Sequence, residues 1–321
     1  MNPESKDKKK TIWWRWIIAL GSIVLILWLI TKQDWSPILL ALSDTRGNKY
    51  LILSLPVFFC GQIFAGLRWL ILLRIENPGF SFIESLRITL IGSFISNFLP
   101  TSTGGDVLRI ICLTDRKPSS RVAIVLLDRL ISVFSVIILI PFSILALTLY
   151  DIKGTYRTLK LTRQIGLFSL VIFGGRFTNI RIKINSWVKE FSSHISEWKK
   201  CKWQIFWGII LSLLSNSCGW IGVWLIARGL SINIELWQVI AAGVPIYFAG
   251  MLPISINGIG VQEFLYIGIY SIYGVSTSAA ILLGLFTRLV YLISVVPGGI
   301  WLIINPSLRT QIFHTGENIT S

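Results

Sequence analysis

Apolar residues along this chain come in long runs, broken by short polar links. The runs fall at about 12–30, 50–73, 82–99, 122–149, 159–175, 203–227, 236–252, 261–274 and 278–304. Several approach the roughly 20 residues that carry a helix across a hydrocarbon core. The pattern predicts an all-α polytopic membrane protein, with 1–321 forming a single integral membrane domain. Two of the runs are interrupted in the same way. The first reads Leu99-Pro100-Thr101-Ser102-Thr103-Gly104-Gly105-Asp106, and the second Leu252-Pro253-Ile254-Ser255-Ile256-Asn257-Gly258-Ile259-Gly260-Val261-Gln262-Glu263. Proline and glycine break a helix. Within a membrane such breaks survive only where protein or a wet cavity satisfies the freed backbone groups. Paired breaks in two halves of a membrane chain point to a transport site.

The stretch 176–202 is the longest polar one. From Ile184 onward its apolar residues, Trp187, Val188, Phe191, Ile195 and Trp198, recur every three or four positions. That spacing suits an amphipathic helix lying on the inner membrane surface. Its basic content favours an anionic lipid surface over a protein partner. The run at 12–30 follows a lysine cluster but no small-residue cleavage site follows it, so it reads as a first transmembrane helix that stays attached.

Charge sets a direction. With the lysine-rich N-terminus in the cytoplasm and both Leu-Pro corners turning back, basic residues favour the cytoplasmic side roughly two to one. The runs 50–73, 82–113 and 122–149 then form one half, and 203–227, 236–274 and 278–304 the other, upside down. The expectation is a pair of inverted repeats, about 50–150 and 203–304, each with a broken re-entrant helical hairpin. It requires 159–175 to cross. The chain is expected in the cell membrane, multi-pass, with a cytoplasmic N-terminus. Oligomeric state is not indicated.

Composition removes other classes. The chain has 321 residues, 53% hydrophobic, with a formal charge of +15. Its basic residues flank apolar runs, so headgroups explain them and nucleic acid does not. Cys60, Cys112, Cys201 and Cys218 are scattered and His194 and His314 are isolated, so neither metal nor cofactor is expected. The many tryptophans near run ends fit an interfacial belt.

The candidate chemistry is ionic. Asp106, Asp128, Glu263, Arg109, Arg129 and Arg288 all fall within apolar segments, where ionisable residues are costly and functional by default. Arginine presents a planar fork that matches phosphate. Asp106 stands where a helix would restart after Gly104 and Gly105. It could cap that helix, carry a proton, or pair with Arg109 one turn on. Asp128 and Arg129 are adjacent and cannot face each other on a helix, so each needs a partner elsewhere. Asn97, Ser102, Ser255, Asn257, Gly258 and Gly260 either line a cavity or satisfy the broken backbone. Purely structural arginine–carboxylate pairs fit the same residues.

The segments Asn97-Phe98-Leu99-Pro100 through Gly104-Gly105-Asp106-Val107-Leu108-Arg109, followed by Pro253-Ile254-Ser255 through Gly258-Ile259-Gly260-Val261-Gln262-Glu263, resemble the flippase-like membrane domain of lysylphosphatidylglycerol synthases. The resemblance runs from Arg68-Trp69 to Pro297-Gly298-Gly299. It implies translocation of an anionic phospholipid or lipid-linked glycan between leaflets. Full synthases add a soluble aminoacyl-transfer domain for which a chain stopping at Ser321 has no room, so aminoacylation is not expected. Gln262 departs from the basic residue expected beside the glutamate.

Transport is thus expected over catalysis, with Asn97, Ser102, Gly104, Gly105, Asp106, Arg109, Arg129, Ser255, Asn257, Gly258, Gly260, Glu263 and Arg288 as the substrate-binding set. A membrane-embedded transferase acting on lipid-linked sugar would need a base and commonly a metal, and no Asp-x-Asp pair or histidine cluster supplies one. An accessory subunit of a lipid- or glycan-modifying enzyme is the further alternative.

Overall fold

A computed structural model of the chain describes residues 45–75, 77–97, 104–112, 118–152, 201–251 and 261–304. Every regular element among them is helical: α1 (Thr45–Leu73), α2 (Phe82–Ser96), α3 (Gly104–Cys112), α4 (Pro118–Ile137), α5 (Ile140–Ile152), α6 (Lys202–Gly229), α7 (Leu236–Met251), α8 (Val261–Ile272) and α9 (Thr277–Ile304). The runs at 12–30 and 159–175, the amphipathic stretch up to residue 200 and both Leu-Pro corners lie outside the described residues.

Among the described residues, four stretches are long and apolar enough to cross a membrane: Gly47–Leu73, Ser120–Thr148, Lys202–Gly229 and Thr277–Ile304. Their outward faces carry large apolar side chains such as Ile52, Phe134, Leu145, Leu289 and Ile303, all exposed. In water these would form an adhesive surface; in a bilayer they meet acyl chains. Trp203, Phe206 and Trp207 form a stacked and edge-on group at the start of α6, as amphipathic rings do at a membrane boundary.

Local sequence explains the helix ends. Ser81 and Glu84 form a reciprocal capping box at the start of α2, which satisfies two backbone donors. The crossing at Ser120–Thr148 is interrupted at 138–139, between α4 and α5. Pro141 follows at once; it has no N–H to offer the carbonyl four residues back, and its ring crowds that turn.

Small residues set the packing. The backbone of Gly298 on α9 lies so close to Leu90 on α2 that a Cβ would strike its carbonyl. Gly66 on α1 takes Leu86 of α2, and the Ser85 hydroxyl donates to the Gly66 carbonyl at 2.8 Å. Gly243 on α7 accepts the Trp220 indole edge. Dispersion and close backbone approach, rather than a hydrophobic difference from lipid, hold helices together in membranes.

One succession of elements occurs twice: a long helix, a medium one, a short one after a break, and a second crossing. It reads α1, α2, α3, α4–α5 and then α6, α7, α8, α9. The contacts pair off in the same way. α1 on α2 matches α6 on α7, α2 on α3 matches α7 on α8, α3 on α4 matches α8 on α9, and α2 on α9 matches α7 on α5. α1 and α6 pack on each other and run antiparallel: Phe58 meets Gly222, Gly61 meets Ser215 and Cys218, Arg68 reaches Ser212, and Leu51 meets Gly229. One buried apolar cluster gathers Trp69, Leu72, Leu73, Ile124 and Leu127 from the first half. A larger one joins Ile226, Val239, Tyr266, Tyr270 and Leu283 from the second.

Candidate functional site

Asp128 on α4 is the hub of the first half, with its side chain 2% exposed. Arg68, from α1, grips it with a two-pronged fork: Nε donates to Oδ1 at 2.7 Å and Nη2 to Oδ2 at 3.1 Å. Arg109, from α3, donates Nη1 to the same Oδ2 at 3.0 Å. Two guanidiniums thus meet a single carboxylate through charge-assisted hydrogen bonds. The Arg109 guanidinium also lies 5.2 Å from the centre of the Trp69 ring, a cation–π distance. Arg68 continues the network through Nη1 to the hydroxyls of Ser132 at 3.3 Å and Ser212 at 3.0 Å. The Tyr247 hydroxyl donates to Ser132 at 3.0 Å.

Asp106 takes a different partner. Arg129 Nε donates to its Oδ2 at 2.6 Å, whereas the intrahelical Arg109 approaches only to 3.8 Å. Adjacent on α4, Asp128 and Arg129 therefore point to different partners. α3 reaches this position because Gly105 packs on Gly92 and Ser96 of α2; a Cβ there would strike the Gly92 carbonyl oxygen and the Ser96 hydroxyl. Only glycine admits that approach.

Among the described residues, the second half holds one comparable pair. Arg288 on α9 donates Nε to Glu263 Oε1 of α8 at 2.6 Å, and Nη2 to Gln262 Oε1 at 3.1 Å. The Glu263 side chain is 1% exposed. Asp106 and Glu263 are each the third residue of the short helix that follows a break.

Both networks face a cavity of about 470 Å³ between the halves. Its walls include Arg68, Gln62, Ser93, Asn97, Asp106, Arg109, Asp128 and Arg129 from the first half, and Tyr247, Gln262, Tyr266, Thr287, Arg288 and Tyr291 from the second. Among the described ion-paired groups at the cavity, Arg129 is the most open, with its side chain 36% exposed. The volume falls within the range of small-molecule sites.

Of the residues singled out from sequence, Asn97, Gly105, Asp106, Arg109, Arg129 and Arg288 line this cavity, and Glu263 sits behind Arg288. The Asn97 amide donates to the Ser93 carbonyl at 2.8 Å, so it ties off the end of α2. Gly104 opens α3. Ser102, Ser255, Asn257, Gly258 and Gly260 lie outside the described residues. Sequence reasoning omitted Arg68 and Asp128 from the set, although both are buried members of the network. A signal existed: Asp128 could not pair with its neighbour, and Arg68 is the arginine within the apolar stretch Gly47–Leu73. Ser132, Ser212 and Tyr247 carried no such signal, since hydroxyls inside apolar helices are common.

The family model described as lysylphosphatidylglycerol synthase TM region matches residues 12–299. A UPF0104 membrane protein of Methanocaldococcus jannaschii is 23% identical over 318 residues, covering 90% of this chain and 94% of that protein. No solved structure matches the chain.

Proposed function

The chain belongs to the family of the lysylphosphatidylglycerol synthase TM region, and from that premise we propose that it moves an anionic phospholipid or lipid-linked glycan between leaflets. The observation that carries this reading is the shared cavity: arginines from four helices and both halves open onto about 470 Å³ of space. Guanidinium forks are suited to phosphate oxygens. Charged groups at membrane depth are expensive to keep, which favours a role in a polar pathway over packing alone.

The same reading includes a moving part. The two successions of helices, with their matched contacts and antiparallel first members, support inverted repeats. In that arrangement the halves rock about the α1–α6 crossing, and the cavity opens to each leaflet in turn. The acyl chains stay in lipid while the headgroup crosses among the arginines.

Reconstitution tests the proposal. Purified protein in phosphatidylcholine vesicles, with trace acyl-labelled phosphatidylglycerol or a polyprenyl-phosphate sugar, is expected to speed leaflet exchange of one of them. Arg129→Ala is expected to slow that exchange by about tenfold or more, the loss of one charge-assisted hydrogen bond. Covalent turnover of the sugar lipid, or exchange rates equal to those of protein-free vesicles for both lipids, would sink it.

A further inference from the structure

The two halves share a frame but differ in chemistry. Asp106 and Glu263 accept from Arg129 and Arg288 in matching positions. Around that shared pair the residues diverge. Three positions after the acid stands Arg109 in the first half and Tyr266 in the second; just before the arginine, Asp128 and Thr287; three positions after it, Ser132 and Tyr291. The Arg109–Asp128 contact, at 3.0 Å, has its counterpart in Tyr266 set against Thr287. All six line the same cavity. The first-half wall is therefore the more charged, and the second-half wall sets tyrosine rings and hydroxyls beside the single guanidinium of Arg288.

The charge does not cancel. Among the described residues of these networks, four guanidiniums (Arg68, Arg109, Arg129, Arg288) accompany three carboxylates (Asp106, Asp128, Glu263). A single excess positive charge at membrane depth is costly until an anion offsets it. A dianion overshoots that balance. A zwitterion brings an ammonium group that the guanidiniums repel. The tyrosine wall offers flat apolar faces with polar edges, suited to the C–H faces and hydroxyls of a polyol or sugar. It supplies no carboxylate that an ammonium headgroup could use, since Glu263 is buried behind Arg288.

We propose that this cavity selects a lipid phosphodiester with one negative charge and an uncharged, hydroxyl-rich headgroup, the phosphate on the charged wall and the hydroxyls on the tyrosine wall. The inference rests on the translocation reading for the site's purpose, but it concerns recognition and is tested as binding.

The test is competition in native mass spectrometry, using the full chain and dioctanoyl lipids that differ only in headgroup. Phosphatidylglycerol and phosphatidylinositol are expected to bind about tenfold tighter or more than phosphatidylethanolamine or lysylphosphatidylglycerol, because the latter two carry a repelled amine. They are also expected to outbind phosphatidylmethanol, which has the same charge and no headgroup hydroxyl. Tyr266→Phe together with Tyr291→Phe should erase the preference over phosphatidylmethanol and keep the preference over the amine lipids. Equal binding of phosphatidylmethanol and phosphatidylglycerol by the unmodified chain overturns the proposal. Equal binding of an amine lipid, or no binding of any member, does the same. If selectivity holds while leaflet exchange is absent, the transport reading fails and this inference stands; exchange without selectivity gives the reverse.

Discussion

At the scale of residues, Asp128 and Asp106 make a contrast that can be measured. Asp128 is held by two arginines and almost wholly buried, whereas the Arg129 partner of Asp106 is 36% exposed. Removing one member of a buried ion pair strands the other charge at a cost of about 3–5 kcal/mol, and solvent screening reduces the cost of an exposed one. Asp128→Asn is therefore expected to lower the thermal midpoint in detergent substantially, and Asp106→Asn distinctly less. Equal losses would mean that Asp128 is not the structural anchor of the network. Sequence carried half of this result. The adjacency of Asp128 and Arg129 required two separate partners, because neighbours on a helix diverge. Which partners they take depends on how α1 and α3 pack against α4, and a single sequence holds no record of that packing.

At the scale of elements, close backbone approach makes a sharp prediction at two glycines. A Cβ at Gly298 would strike the Leu90 backbone, while nothing lies within 4 Å of one at Gly219. Gly298→Ala should destabilise by about 1–3 kcal/mol, the usual cost of overpacking, and Gly219→Ala should leave the melting curve in place. The α1–α6 crossing can be checked chemically. Cys60 and Cys218 are both free thiols that neighbour each other across it. Mild oxidation is expected to link them within one chain, read as a joined peptide after proteolysis and lost in Cys218→Ser. A joined peptide that persists in the variant, or none in the unmodified chain, would contradict the antiparallel packing. The long apolar runs were plain in sequence because a membrane crossing has a fixed length: 203–227 and 278–304 fall within Lys202–Gly229 and Thr277–Ile304. The interruption at 138–139 was not anticipated within 122–149, although Pro141 supplied its cause. The pairing of Gly243 with Trp220 and of Gly298 with Leu90 joins residues far apart in the chain, and hydropathy does not encode it.

At the scale of the whole molecule, two halves meet around one cavity, and the central claim is functional. The doubled Leu-Pro interruption pointed to two halves in sequence, and both of its corners lie outside the described residues. The cavity itself was not visible, because it arises from Tyr247, Tyr291 and Arg68, which stand in three different helices and gain meaning only when these meet. The proposed passage of an anionic phospholipid or lipid-linked glycan through this cavity is the claim to test. The most direct test is the fraction of acyl-labelled phosphatidylglycerol, or of a labelled polyprenyl-phosphate sugar, that an impermeant quencher reaches in vesicles holding several copies of the protein. The account predicts that quenching passes beyond the outer-leaflet share and approaches completion for at least one of the two. Quenching that stops at the outer-leaflet share for both, as in vesicles without protein, would contradict it.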